Sequence, residues 1–316
     1  MSPSSLLARR AIRAMMARTN FNEGVEMPDL RYEAPGSLAD AVKALAAAGG
    51  LTRILAGGTD VIVQMETDLI EPELLVDIKK IPALRNITAE NGGFRIGAAV
   101  SAMQMMDHAA LCATFPGVIE GVKLIGSIQV KGRATVAGNL CNASPGADSV
   151  PPMVTAGAIA HVVGPNGARD VPVEQIPVSP GKTSLAKGEI IESFFLPAPA
   201  RNSGGAYQRF TPRTEMDIAV VGVAVNLTLD GAGVCTAARV ALGAVGPTVV
   251  VSDECAQALI GTKVDEAALE KLAAAASAAC RPIDDKRGTK EFRIKVAAVL
   301  ARRVAQQALE RARHIA

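Results

Sequence analysis

Apolar positions in the first half of the chain switch repeatedly between a helical and a strand-like period. After Pro35-Gly36-Ser37, the residues Leu38, Val42 and Leu45 share one helical face, so Ser37 is read as a cap and Gly49 as a stop. Residues 53–56 read as a short buried strand that runs into Gly57-Gly58, and Thr59 or Asp60 can cap a segment over 61–65. Strands are expected at 74–78 and 94–98, the second introduced by the hairpin signal Asn91-Gly92-Gly93. Helical patterns over 101–108 and 118–124 lead to a second glycine-bearing turn, Thr135-Val136-Ala137-Gly138-Asn139. Further strands are expected at 158–164 and 188–196, the latter stopped by Pro197.

Beyond a linker over 197–205 the texture changes. Residues 219–229, 237–242 and 248–251 read as antiparallel strands, and helices over 265–279 and 292–312 follow, the last carrying Ile294, Val299, Leu300, Val304 and Leu309 at roughly helical spacing. A run of strands followed by a run of helices implies a separate α+β domain. With 316 residues, 49% of them hydrophobic, the chain has material for two packed cores.

Charge and cysteine usage exclude several classes of function. The 33 basic and 31 acidic residues leave a net charge of +2, with 3% aromatics and no Trp, so neither a basic field nor a stacking surface for nucleic acid is present. Cysteines at 112, 141, 235, 255 and 280 contain no C-x-x-C pair and so lack the local spacing of a zinc or iron–sulfur site. Their odd number argues for thiols in a reducing compartment, and a cytoplasmic location is expected. No run approaches the roughly 18 apolar residues of a membrane span. Residues 1–18 are basic and acid-free but have no apolar core of a secretory signal, and are read as a docking arm, with a transit-like address as the alternative. His108, His161 and His314 have no catalytic neighbour in sequence.

The two glycine turns carry the chemistry. A turn without side chains exposes successive backbone N–H groups, which form a concave anion site suited to a pyrophosphate, and two such turns suggest a dinucleotide between them. The Rossmann fingerprint G-x-G-x-x-G and the Gly-Lys-Ser or Gly-Lys-Thr of a P-loop are both missing.

These residues resemble the FAD-binding medium subunits of molybdenum hydroxylases, such as those of xanthine dehydrogenase and aerobic carbon monoxide dehydrogenase. The matching strings are Ile54-Leu55-Ala56-Gly57-Gly58-Thr59-Asp60-Val61 and Ala134-Thr135-Val136-Ala137-Gly138-Asn139-Leu140, continuing through Asn142 to Asp148. Met216-Asp217-Ile218-Ala219 and Pro282-Ile283-Asp284-Asp285-Lys286-Arg287-Gly288 match more weakly, and the whole resemblance runs from about Met27 to Ala312.

The resemblance implies an α+β chain: an arm at 1–26, a two-lobed FAD-binding domain of the vanillyl-alcohol-oxidase type at 27–200, and a smaller C-terminal α+β domain at 206–316. It implies non-covalent FAD, with Gly57, Gly58, Thr59 and Asp60 on the pyrophosphate from one side and Thr135, Gly138 and Asn139 from the other. The flanking Ile54, Leu55, Ala56 and Val61 belong to the first cradle. Asn142 and Asp148 match positions near the ribose and phosphates, Ile125 and Ile191 match apolar neighbours of the flavin, and Arg209 stands where a lysine is common. Ala137 replaces a frequent glycine, which moves the expected strained backbone angle to Gly138. An inserted iron–sulfur cysteine cluster known in some relatives has no counterpart here. The activity implied is electron transfer from [2Fe-2S] clusters on a small subunit through FAD to an external acceptor, with substrate oxidised at molybdopterin on a large subunit. A stand-alone FAD oxidase or reductase and a cofactor-free scaffold are the rival readings.

Overall fold

The computed structural model describes residues 30–213 and 215–314. The predicted arm at 1–26 lies outside them.

The chain opens with a small parallel sheet. Its strands are β1 (Arg31–Glu33), β2 (Thr52–Leu55) and β3 (Leu74–Asp77), in the order β1-β3-β2. β3 is central and every one of its residues is buried, as a strand flanked on both edges and covered on its faces requires. Helix α1 (Leu38–Ala47) lies between β1 and β2, with Ser37 capping it through the Asp40 N–H and Ala41, Val42 and Leu45 buried. Helix α2 (Val61–Glu66) follows the Gly57-Gly58 turn. Asp60 stands at its N-cap but makes no capping bond, because its carboxylate is engaged elsewhere.

The second lobe is a five-stranded antiparallel sheet built from β4 (Ile87–Glu90), β5 (Gly93–Gly97), β6 (Ile159–Gly164), β7 (Gly167–Pro172) and, beyond the small hairpin of β8 (Pro177–Ser179) and β9 (Lys182–Thr183), β10 (Ile190–Leu196). The order is β4-β5-β10-β6-β7. The predicted Asn91-Gly92 turn joins β4 to β5 with both residues at positive φ, 49° and 77°, the geometry that matches strand twist. Between β5 and β6 run α3 (Ala102–Asp107), α4 (Ala109–Thr114), α5 (Pro116–Lys123), α6 (Ile128–Lys131), α7 (Val136–Cys141) and α8 (Val150–Thr155). α3 carries a full capping box between Ser101 and Gln104.

Several expectations change here. The second glycine turn is the start of α7: the Thr135 hydroxyl accepts the Gly138 N–H at 2.9 Å, and Gly138 is helical, so the strained angle expected there does not exist. Pro151 and Pro152 stand in the first turn of α8, where a proline loses no helical hydrogen bond. The linker expected over 197–205 ends earlier, because β11 (Ser203–Phe210) already includes Ser203, Gly204 and Gly205.

The last layer is the antiparallel sheet β11, β12 (Val221–Leu229), β13 (Cys235–Gly243) and β14 (Val250–Val251), followed by α9 (Asp253–Leu259), α10 (Glu266–Ala279) and α11 (Lys290–His314). Val221, Val223, Val225 and Leu227 of β12 pack with Leu300, Val304 and Ala308 of α11 in one core, while Tyr207, Ala224 and Ala241 on the opposite face join the core of the second lobe. The sheet is therefore the wall shared by the two halves of the molecule. Its edge strand β11 is sealed by Glu120 of α5, which takes the Tyr207 N–H, and by Arg311 of α11, which donates to the Gly205 carbonyl.

Candidate functional site: a cleft between two lobes

The site begins where β2 ends. At Gly57 a side chain has no room: a Cβ there would stand 2.8 Å from both Ala134 Cα and the Arg133 carbonyl carbon, and closer still to the Arg133 oxygen. The first glycine turn thus lies in backbone contact with the segment that leads into α7, which Ala102 anchors by donating to the Ala134 carbonyl at 2.8 Å. Gly58 carries the one left-handed angle of this turn, φ 83°. The N–H groups of Gly57, Gly58, Thr59 and Asp60 donate to no acceptor among the described residues, whereas those of Ile62 and Gln64 donate to the Gly58 and Asp60 carbonyls. Four successive unspent amides form the concavity that an oxyanion fills.

Between this turn, the start of α7 and the 181–191 segment lies a cleft of about 530 Å³, within the range of a small-molecule or cofactor site. Ile54, Ala56, Gly57, Gly58, Thr59, Asp60, Val61, Ile125, Thr135, Gly138, Asn139, Asn142 and Ile191 all line it. Residues from 54 to 191 in sequence are brought to one space. Asn139 is held in place by the Ser149 hydroxyl, which donates to its Oδ1 at 2.7 Å. Asn142 reaches back across the cleft and donates to Asp60 Oδ1 at 3.1 Å.

Leu55, Asp148 and Arg209 are not brought to the cleft. Leu55 points into the core. Asp148 is buried with both oxygens committed: Tyr207 donates its hydroxyl to Oδ1 at 2.7 Å and Arg209 forms an ion pair at Oδ2. Arg209 also donates to the Asp217 carbonyl at 3.1 Å. Burial pushes the Asp148 carboxyl up to about 6, against the opposing pull of Arg209 and the Tyr207 hydroxyl. The pair ties the loop before α8 to β11, at the seam between the cofactor lobes and the C-terminal sheet.

The cleft also contains residues with no sequence motif. Arg53, Gln64, Leu69 and Ile70 come from the first lobe, and Gly181, Thr183, Leu185, Ala186, Lys187, Gly188 and Glu189 supply a further wall. The hints in that second stretch are Gly181 and Gly188, which adopt φ 73° and 84°, the latter against Pro165 and Ala46. Glu189 is neutralised by Arg169 at 2.7 Å, so Arg53 and Lys187 face Asp60 as the remaining acid, a balance that admits an anion. Cys141 lines the cleft, and desolvation pushes its thiol up to about 12, so it remains protonated. No histidine reaches the cleft: His108 accepts the Leu111 N–H, His161 pairs with Asp170, and His314 ends α11.

Comparison with known proteins agrees with this geometry. Residues 26–199 match the family described as the FAD binding domain in molybdopterin dehydrogenase, and residues 206–308 match the CO dehydrogenase flavoprotein C-terminal domain. The carbon monoxide dehydrogenase medium chain of Afipia carboxidovorans is 35% identical over 90% of this chain and 98% of its own. A putative xanthine dehydrogenase FAD-binding subunit of Escherichia coli is 31% identical over 88% and 95%. Reconstituted CO dehydrogenase from Oligotropha carboxidovorans superposes with a TM-score of 0.86 at 34% identity, covering 91% of this chain and all (100%) of that one. With two family matches in tandem and an interlobe cleft walled by both glycine-bearing segments, the chain belongs to the FAD-binding subunits of the molybdenum hydroxylases.

Proposed function

We propose that this chain holds FAD in the interlobe cleft and passes electrons through it from iron–sulfur clusters on a small subunit to an external acceptor. Substrate is oxidised on a large molybdopterin subunit. The arm at 1–26, the FAD-binding domain at 27–200 and the C-terminal domain at 206–316 are the units of this reading, and the complex is placed in the cytoplasm; among the described residues no helix is long and apolar enough to cross a membrane.

The observation that carries the reading is the row of unspent amides at Gly57, Gly58, Thr59 and Asp60 in backbone contact with residues 133 and 134. It fits a diphosphate held by main-chain N–H groups. Thr135 and Asn139 present side chains from the facing lobe, and Ile125 and Ile191 give the apolar walls that a flavin ring needs. Bound FAD supplies the redox chemistry; the chain's residues bind it, orient it and restrict water. Asp148 and Arg209 act on the cleft indirectly, by fixing the loop that follows Asn142 against β11.

Native purification of the untagged complex tests this. Stoichiometric FAD on this chain, with an iron–sulfur subunit and a molybdopterin subunit co-eluting, is the expected result. A colourless chain that purifies alone, and takes up no FAD when it is added, overturns it.

A further inference from the structure

Asp60 poses an electrostatic problem in a diphosphate cradle. It is an acid in the same row as the unspent amides, its carboxyl is pushed up by burial, and a like charge beside a diphosphate opposes binding. Its carboxylate does not cap α2, although it stands at the N-cap. Instead Asn142, at the end of α7 in the facing lobe, donates from Nδ2 to Asp60 Oδ1 at 3.1 Å. The other end of the same amide is taken by Gln64 of α2, whose Nε2 donates to Asn142 Oδ1 at 3.0 Å. Both polar atoms of the Asn142 side chain are therefore spent across the cleft, on two residues one helical turn apart.

We propose that Gln64 and Asn142 are positioning residues that hold the Asp60 carboxylate away from the diphosphate and join the two lobes over the bound cofactor, so that FAD leaves only when this link breaks. The inference rests on the reading of the cleft as the FAD site. It makes Gln64, which belongs to none of the glycine-bearing motifs, a determinant of cofactor retention. It also gives the two ends of the link opposite signs. Gln64→Met keeps the length of the side chain and removes one hydrogen bond between the lobes, which speeds release of FAD. Asp60→Asn keeps an acceptor for Asn142 and removes the charge that repels the diphosphate, which slows release and tightens binding.

The test is the FAD release rate of the purified complex, followed as free flavin fluorescence after dilution. Gln64→Met is expected to raise the rate by about 5- to 10-fold, the worth of one partly buried hydrogen bond. Asp60→Asn is expected to lower it, and this opposition of sign is a pattern that a general loosening of the fold does not produce. Unchanged release in both variants, or faster release in both, overturns the proposal. Gly57→Ala separates this failure from failure of the underlying reading: loss of flavin in Gly57→Ala with no effect of the other two refutes the link alone, whereas flavin binding indifferent to all three refutes the site.

Discussion

Gly57→Ala is the sharpest perturbation of the cofactor site because the change is a single methyl group and its surroundings are main chain. The φ of Gly57 is not in the left-handed region, so alanine meets no conformational penalty and the whole effect is steric. Ordinary contact of a Cβ begins near 3.4 Å, and here Ala134 Cα and the Arg133 carbonyl carbon stand at 2.8 Å. One backbone must therefore retreat by more than about 0.6 Å, since the Arg133 carbonyl oxygen lies closer still, and neither is the free end of a flexible side chain. Overpacking against rigid neighbours costs about 1–3 kcal/mol. If the retreat widens the gap between the glycine turn and α7, that energy appears in FAD affinity as a loss of roughly 5- to 150-fold, since about 1.4 kcal/mol is a factor of ten. Titration of the apo chain with FAD, monitored by flavin fluorescence and checked by the flavin-to-protein ratio after desalting, reads this directly. Gly138→Ala is the control for fold: its Cβ would meet only the Thr135 hydroxyl, at 3.1 Å, and alanine favours the helix there, so apo stability should hold or rise. A Gly57→Ala protein that binds FAD with unchanged affinity would refute the claim that the two segments clasp one ligand.

Other perturbations address the frame around the cleft. Asp148 has a folded pKa raised to about 6 from 3.8, so the native state holds an extra proton between those values; its contribution to stability is fully present below about pH 4 and is lost as pH rises through about 6. Asp148→Asn should remove roughly 3 kcal/mol of that pH dependence, measured by denaturant unfolding from about pH 4 to about pH 7, and a mutant with the same slope as the parent contradicts the assignment. Glu120 accepts from the Tyr207 N–H at 2.9 Å, from Gln307 at 3.0 Å and from Arg311 at 3.0 Å, so Glu120→Ala should cost about 1–3 kcal/mol in thermal or chemical unfolding and open the β11 edge to concentration-dependent association, visible by light scattering. Asn91→Ala places a Cβ without a compensating side-chain polar group at φ 49°, which should cost about 1 kcal/mol in unfolding without altering FAD affinity.

Local signals in the sequence were decoded where one short stretch determines the outcome. Ser37 and Ser101 each accept an N–H three residues on and begin helices, and Asn91-Gly92 turns β4 into β5. Gly57 and Gly58 were legible as a pair, yet for two separate reasons: Gly58 needs its backbone angle, and Gly57 needs the space that Arg133 and Ala134 occupy. The start of α7 reads as a turn in the sequence because Thr135 and Gly138 suit either a tight turn or a capped helix, and only the run Val136 to Cys141 decides between them. Thirteen of the sixteen expected site residues line the cleft; of the exceptions, Leu55 is buried in the core while Arg53, Ile54 and Ala56 around it line the cleft, a difference no local string marks.

Asp148 and Arg209 mark the limit of motif reading. They lie 61 residues apart, and nothing in either local string says that their side chains find one another instead of a ligand. Yet the outcome follows from physical chemistry once they are adjacent: a buried carboxylate needs a partner, Arg209 on β11 supplies a cation, and Tyr207 two residues earlier supplies a hydroxyl on the same strand face. The loop from Asn142 to Asp148 thus ends on an ion pair at the C-terminal sheet and begins on the Asp60–Asn142–Gln64 link across the cleft. That sheet is therefore joined to the wall of the cleft by a few residues of chain, although no described residue of the C-terminal domain lines the cleft itself.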